Sequence, residues 1–240
     1  MASMGRFERR GFIFWILTVV VGCAGLAWGA TQLSRNMASD EFMDIESHLL
    51  RFEKFSPTVT RDLLGRTSVR NLSACDIHGQ RALLLLEMPL AEAALRTGDV
   101  RDFDRHLQSL DRRARETLAC APRDSLVWLI MFGLEVLHGH LDRHSFGLLA
   151  MSYKTSQNEA WVSLRRVIVA IPVVLSAPAP LKEKILTEFS DLIRHGFLDI
   201  PAAAYLRSSP PVRAMLQSEI EKLPSYSRHN FSSALEKVGR

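Results

Sequence analysis

His138, His140 and His144 fall within seven residues and form the densest group of metal-capable side chains in the sequence. His140 and His144 are four apart, and on a helix that spacing puts two imidazoles on one face, as in paired zinc ligands. Gly139 interrupts the run, however, and no carboxylate motif follows it. The expected role of the three is therefore helix capping and contact with solvent. Metal binding, or an enzyme built around these histidines, is the alternative. Other catalytic templates are missing: there is no GxSxG, no P-loop and no GxGxxG opening a helix after a strand. Asp102/Asp104 and Glu183/Glu188 read as solvated helix faces by spacing. So do Arg112-Arg113 and Arg165-Arg166, although either pair could meet an anionic glycan or a partner's acids. No catalytic group and no cofactor are expected.

The three cysteines are Cys23, Cys75 and Cys120. None belongs to a CxxC pair. If the chain lies outside the cytoplasm, Cys75 and Cys120 are the natural disulfide, with two separate buried thiols as the alternative.

That compartment follows from residues 11–30, GFIFWILTVVVGCAGLAWGA, which carry no charge. About 20 apolar residues rising 1.5 Å each cross the roughly 30 Å hydrocarbon core. Phe12, Phe14, Trp15 and Trp28 lie towards the two ends of this run, where aromatic rings favour the headgroup region. Arg6, Arg9 and Arg10 precede it, and Arg35 alone follows closely before Asp40, Glu41 and Asp44. The positive-inside rule then leaves residues 1–10 in the cytoplasm and the bulk of the chain in the periplasm of a bacterial inner membrane. Two rivals are a cleaved signal with Ala27-Trp28-Gly29 at the cleavage site, and a lipoprotein signal with Val20-Val21-Gly22 before a lipidated Cys23. The length of the apolar run favours the anchor.

The rest of the chain reads as all-α. Its 240 residues, 47% hydrophobic and 23% charged, are enough for one core beyond the span. The net charge of +4 is interleaved with acids, which excludes the basic patch of a nucleic-acid binder. Phe42, Ile45, Leu49 and Phe52 make one stripe of a juxtamembrane helix within residues 31–56, able to dock on the chain's own domain or pair with a second copy. Residues 57–240 form the outer domain, with Ser176–Pro180 as a candidate sub-boundary. Asp76, Asp99, either Asp124 or Ser125, and Asn158 are N-cap positions. Pro89 should kink or break the helix that starts at Asp76. Trp161, Leu164, Ile168 and Ile171 mark the apolar face of a later helix.

Three helices end alike, at Thr97-Gly98, His138-Gly139 and His195-Gly196, with Leu141 and Phe197 placed to pack back. Pro122 precedes Trp128 by six residues, and Trp128 precedes Trp161 by 33. A proline closing one unit, a Trp six residues on and a period of about 34 residues resemble tetratricopeptide repeats. The usual Leu-Gly pair is replaced by Met131-Phe132. The resemblance implies helical hairpins over about residues 80–153, with Trp128 and Trp161 as core or interface residues. The stretches Ala119–Leu129 and Trp161–Val167 are also similar to uncharacterised single-pass proteins of alphaproteobacterial polysaccharide export regions. That resemblance implies a non-catalytic interaction or scaffold module of the cell envelope. It would be tethered to the membrane, would bind a protein partner, and could be associated with polysaccharide.

Overall fold

The structure is a computed structural model describing residues 4–66, 69, 72–156 and 159–239, with the side chains of residues 4–15 and 30–40 excepted. Among the described residues it is all-helical, without a strand. Arg6, Arg9, Arg10, Phe12, Phe14 and Trp15 lie outside the described side chains.

The first helix, α1, runs unbroken over Met4–Leu50. Every side chain of residues 16–29 is exposed, Val20, Val21 and Leu26 by 60% or more. Among the described residues no helix is long and apolar enough to cross a membrane. The far end of α1 behaves differently. Phe42 is fully buried, and Ile45 and Leu49 nearly so, against Leu63, Ala82, Leu83 and Leu86. Burying each such side chain is worth about 1.5–3 kcal/mol. The stripe therefore docks on the chain's own domain. The helix stops at Leu50, before Ser56-Pro57, and the chain turns at Phe52, whose φ is +63°. Ser56 caps the short α2, Pro57–Gly65.

Next comes a hairpin of two 21-residue helices, α3 (Ile77–Thr97) and α4 (Val100–Cys120). Asp76 and Asp99 cap them, each accepting a backbone N–H at 3.0 Å. Pro89 sits inside α3 without ending it. The antiparallel register shows in the cross-pairs. Arg113 donates to Gln80 at 2.8 Å, while His106 and Ser109 reach the buried Glu87 at 3.0 and 2.9 Å. Gly98 turns the closed end of the hairpin. The Cys75–Cys120 disulfide, with Cα atoms 5.2 Å apart, ties the open end. The bond sits there because Cys75 directly precedes the cap of α3 and Cys120 is the last residue of α4.

A second hairpin follows, α5 (Ser125–Leu137) and α6 (Arg143–Thr155), capped by Asp124 and by an Asp142/Ser145 capping box. Trp128 is partly buried, packed on the core, and its indole N–H donates to the Pro122 carbonyl at 2.9 Å. That bond is a physical reason for the six-residue spacing. Because the ring is only partly buried, Trp128→Ala should cost about 1–3 kcal/mol, below the 3–5 typical of a buried aromatic. Trp128→Phe should lose about 1 kcal/mol with the hydrogen bond. Urea titrations of both variants check this, and equal losses would deny the bond any role.

The chain continues through α7 (Ala160–Ala170), a 3-10 turn at Ile171–Ser176 and α8 (Ala179–Arg194). It closes with α9 (Asp199–Arg207), α10 (Pro210–Glu221) and α11 (Ser225–Val238). One cluster of buried apolar side chains extends from Leu84 to Ala234, across the Ser176–Pro180 loop. Helices α5 and α7 begin 35 residues apart, α3 and α5 48 apart.

The three glycine stops have one geometry. Gly98, Gly139 and Gly196 have φ between +73° and +84°. In each, the glycine N–H and the next N–H bond back to carbonyls three and five residues earlier, the Schellman pattern. Only glycine takes that φ without cost. Leu141 and Phe197 do not pack back as expected: both are about 40% exposed.

Of the expected stripe, Ile171 is buried and Trp161 and Leu164 pack on the core, but Ile168 does not. Val162, Ser163, Arg166, Val167 and Ala170 point inward, while Ile168 is exposed and Trp161 only partly buried. The reason is Arg166, which is fully buried. The cap position of α7 is held by Glu159, which makes no side-chain cap bond; Asn158 lies outside the described residues.

Candidate functional site

Helices α6, α7 and α8 enclose the main cleft, about 890 Å³. Tyr153 comes from the last turn of α6, Ser163 from α7, Glu188 and Asp191 from α8, and His195 and Phe197 directly follow it. Behind the lining, Tyr153, Ser163 and Glu188 belong to a buried ionic knot around Arg166. The Arg166 guanidinium forks onto Glu188, at 2.9 Å from Nε and 2.6 Å from Nη2 to Oε1. It also donates to the Ser152 and Ser156 carbonyls and to Ser163 Oγ. The Tyr153 ring lies 4.5 Å below the guanidinium carbon, and its hydroxyl donates to Glu188 at 2.8 Å. Burial, reinforced by the Glu188 charge, holds the Tyr153 phenol far above its ordinary pKa, so it remains a donor. The geometry satisfies the knot: a close pair with added hydrogen bonds is what a buried ion pair requires.

The expectation that Arg165-Arg166 and Glu188 are solvated is therefore corrected. Arg166 side-chain exposure is 0% and that of Glu188 is 9%. Near the rim, Arg194 bonds to Asp191.

Arg165 points the other way. It donates to the Leu49 and Leu50 carbonyls at the end of α1 and lies 4.3 Å over the Phe52 ring. Burial pushes its pKa down to about 10. Nearby, Arg81 bridges Glu46 of α1 and the α5 cap Asp124, at 3.4 and 2.6 Å, and lies 5.4 Å over Trp161. His78 also meets Glu46, at 2.6 Å. Glu46 and Asp124 are both buried. No sequence motif marked this network, because its members come from α1, α3 and the α5 cap.

The histidines are not brought together as ligands. His138 bonds to the Leu134 carbonyl at 2.9 Å, closing α5. His140 meets Glu135 at 2.9 Å and stacks on His138, with centroids 5.8 Å apart. His144 is an exposed residue in the first turn of α6. The chain turns at Gly139, so His140 and His144 do not share a helix face. Among the described residues no group of three or more His, Cys, Asp or Glu is placed to hold a metal ion. His138→Gln with His140→Gln and His144→Gln should shift stability by no more than about 1 kcal/mol, the range of a lost cap. A melting curve checks it; a large loss accompanied by loss of a bound metal would restore the metal reading.

Compared with protein-family models, curated proteins and solved structures, this chain matches none of them.

Proposed function

We propose that this chain is a membrane-anchored, non-catalytic interaction module of a bacterial cell envelope. In this reading residues 11–30 span the inner membrane, residues 1–10 are cytoplasmic, and the helical domain stands in the periplasm. The observation that carries the reading is α1. Its apolar residues 16–29 are exposed, and the same unbroken helix ends docked in the domain. A contiguous apolar surface of that kind needs a nonaqueous neighbour, and the run from 11 to 30 has the length of a bilayer core.

The outer domain contributes a binding surface. Its helical hairpins are tetratricopeptide-like, and such hairpins generally present concave faces to protein partners. The cleft between α6, α7 and α8 is a concave feature that such a partner could enter. The partner is a protein of an envelope assembly, in keeping with the likeness to polysaccharide export regions. The cleft's Glu188 is held by Arg166, which favours positioning over proton transfer. The metal-binding alternative loses support, because His138 closes α5, His140 pairs with Glu135, and His144 stands apart on α6.

The test is topology. A C-terminal reporter that is active only outside the cytoplasm should work in cells, and the protein should stay in the membrane after carbonate washing. Recovery of a mature N-terminus at Cys23 or Ala30 would replace the anchor with a lipidated or cleaved form.

A further inference from the structure

Two consecutive residues of α7 bind opposite parts of the molecule. Arg165 holds the carbonyls that end α1, 115 and 116 residues away in sequence, and covers Phe52. Arg166 holds Glu188, Ser152 and Ser156 in the knot behind the cleft lining. Trp161, one turn before Arg165, lies under Arg81, which in turn reaches Glu46 of α1. One face of α7 is thus bound to the anchor helix and the other to the cleft.

Apart from the core packing of Val162, Val167 and Ala170, the two arginines are the polar grips that α7 makes on other elements. Its first turn has no side-chain cap, and its last turn passes directly into the 3-10 segment. The two grips also differ in strength. Arg166 has a carboxylate in forked geometry, whereas the groups that Arg165 meets are carbonyls and an aromatic face. A buried guanidinium held by neutral groups is the weaker of the two. Phe52 at positive φ is an uncommon conformation for a bulky residue and persists only while its surroundings hold it.

We propose that α7 couples the cleft to the membrane-proximal helix: a change at the Arg166–Glu188 pair shifts α7 and loosens the Arg165 latch on the end of α1. Filling the cleft would then alter how firmly the domain is held to its anchor, and anchor strain would in turn alter the cleft, since coupling between sites is reciprocal. The inference rests on the geometry of α7 and stands whether or not a protein partner occupies the cleft.

Hydrogen exchange on the full chain in detergent micelles tests it. The reporters at the α1 end are the amides of Arg51, Phe52 and Glu53, bonded to the His48 and Leu49 carbonyls. The reporter at the cleft is the Ser156 amide, bonded to the Ser152 carbonyl. The disulfide-tied α3–α4 hairpin is the internal reference. Glu188→Gln should speed exchange at residues 51–53 by about fivefold or more, the lower range of site-to-site couplings. Glu183→Gln, in the same cleft but away from Arg166, should not. Arg165→Met should produce the reciprocal increase at Ser156. If Glu188→Gln does not fold, Tyr153→Phe removes one bond to Glu188, keeps the ring and should act in the same direction. Changes confined to α6 and α8, or an equal increase everywhere including the α3–α4 hairpin, would overturn the coupling.

Discussion

Arg166→Ala is expected to destabilise the outer domain by about 3–5 kcal/mol, the loss typical of breaking one side of a buried ion pair. The substitution leaves Glu188 buried with one donor, Tyr153, in place of a forked guanidinium. It also frees the Ser152 and Ser156 carbonyls and empties the space above the Tyr153 ring. Removing both charges should be milder. Arg166→Met combined with Glu188→Leu leaves no unpaired ion, so much of the loss should return. Chemical denaturation of the full chain in detergent, followed by far-UV circular dichroism, measures both variants. A single Arg166→Ala variant within about 1 kcal/mol of wild type would mean that water reaches the knot and that it does not organise the cleft.

The next largest effect belongs to the disulfide. Replacing Cys75 and Cys120 with Ser should cost up to about 4 kcal/mol, the chain-entropy value for a closed loop of this size. The sequence separation is 45 residues, and the constraint acts mainly on the unfolded chain. The bond also covers the open end of the α3–α4 hairpin, where Asp76 caps α3 and the α4 carbonyls terminate. Reductant should lower the wild-type midpoint towards that of the double Ser variant and leave the variant unmoved. If reductant changes neither protein, the thiols are not bonded in the purified chain. Because disulfides form and persist mainly in oxidising compartments, that result would also weaken the periplasmic assignment.

How much of this was legible can be seen at particular positions. Asp76, Asp99 and Asp124 were readable as caps because the capping bond is local: a side chain reaches an N–H two or three residues on. The glycine stops were readable for the same reason, since the backbone there requires positive φ. Cys75 and Cys120 were readable by elimination, as the only pair outside the apolar run. Pro89 misled, because the helix continues through it despite the missing N–H. The α7 stripe misled further: hydropathy turned the helix to bury Ile168, whereas the fold buries Arg166.

The candidate site was almost entirely illegible. Glu188 and Arg166 are 22 residues apart, Glu46 and Arg81 are 35, and Arg165 and Leu49 are 116. Each of these side chains alone has the composition of a solvated helix face. Hydropathy assigns such residues outward because desolvating one unpaired charge is costly. It carries no term for a partner delivered by another helix.

The sequence by itself determined the local and the periodic: helix class, caps, glycine stops, the disulfide pair, and an uncharged apolar run over residues 11–30. Those features depend on interactions within a few residues or on the amount of apolar surface, so they are written in order along the chain. Tertiary structure alone decided which charges are buried, that one face of α7 meets the end of α1 and the other the cleft, and that His138 and His140 take different partners while His144 is exposed. Those outcomes depend on the angle and register at which helices pack, and these are set by the whole core together.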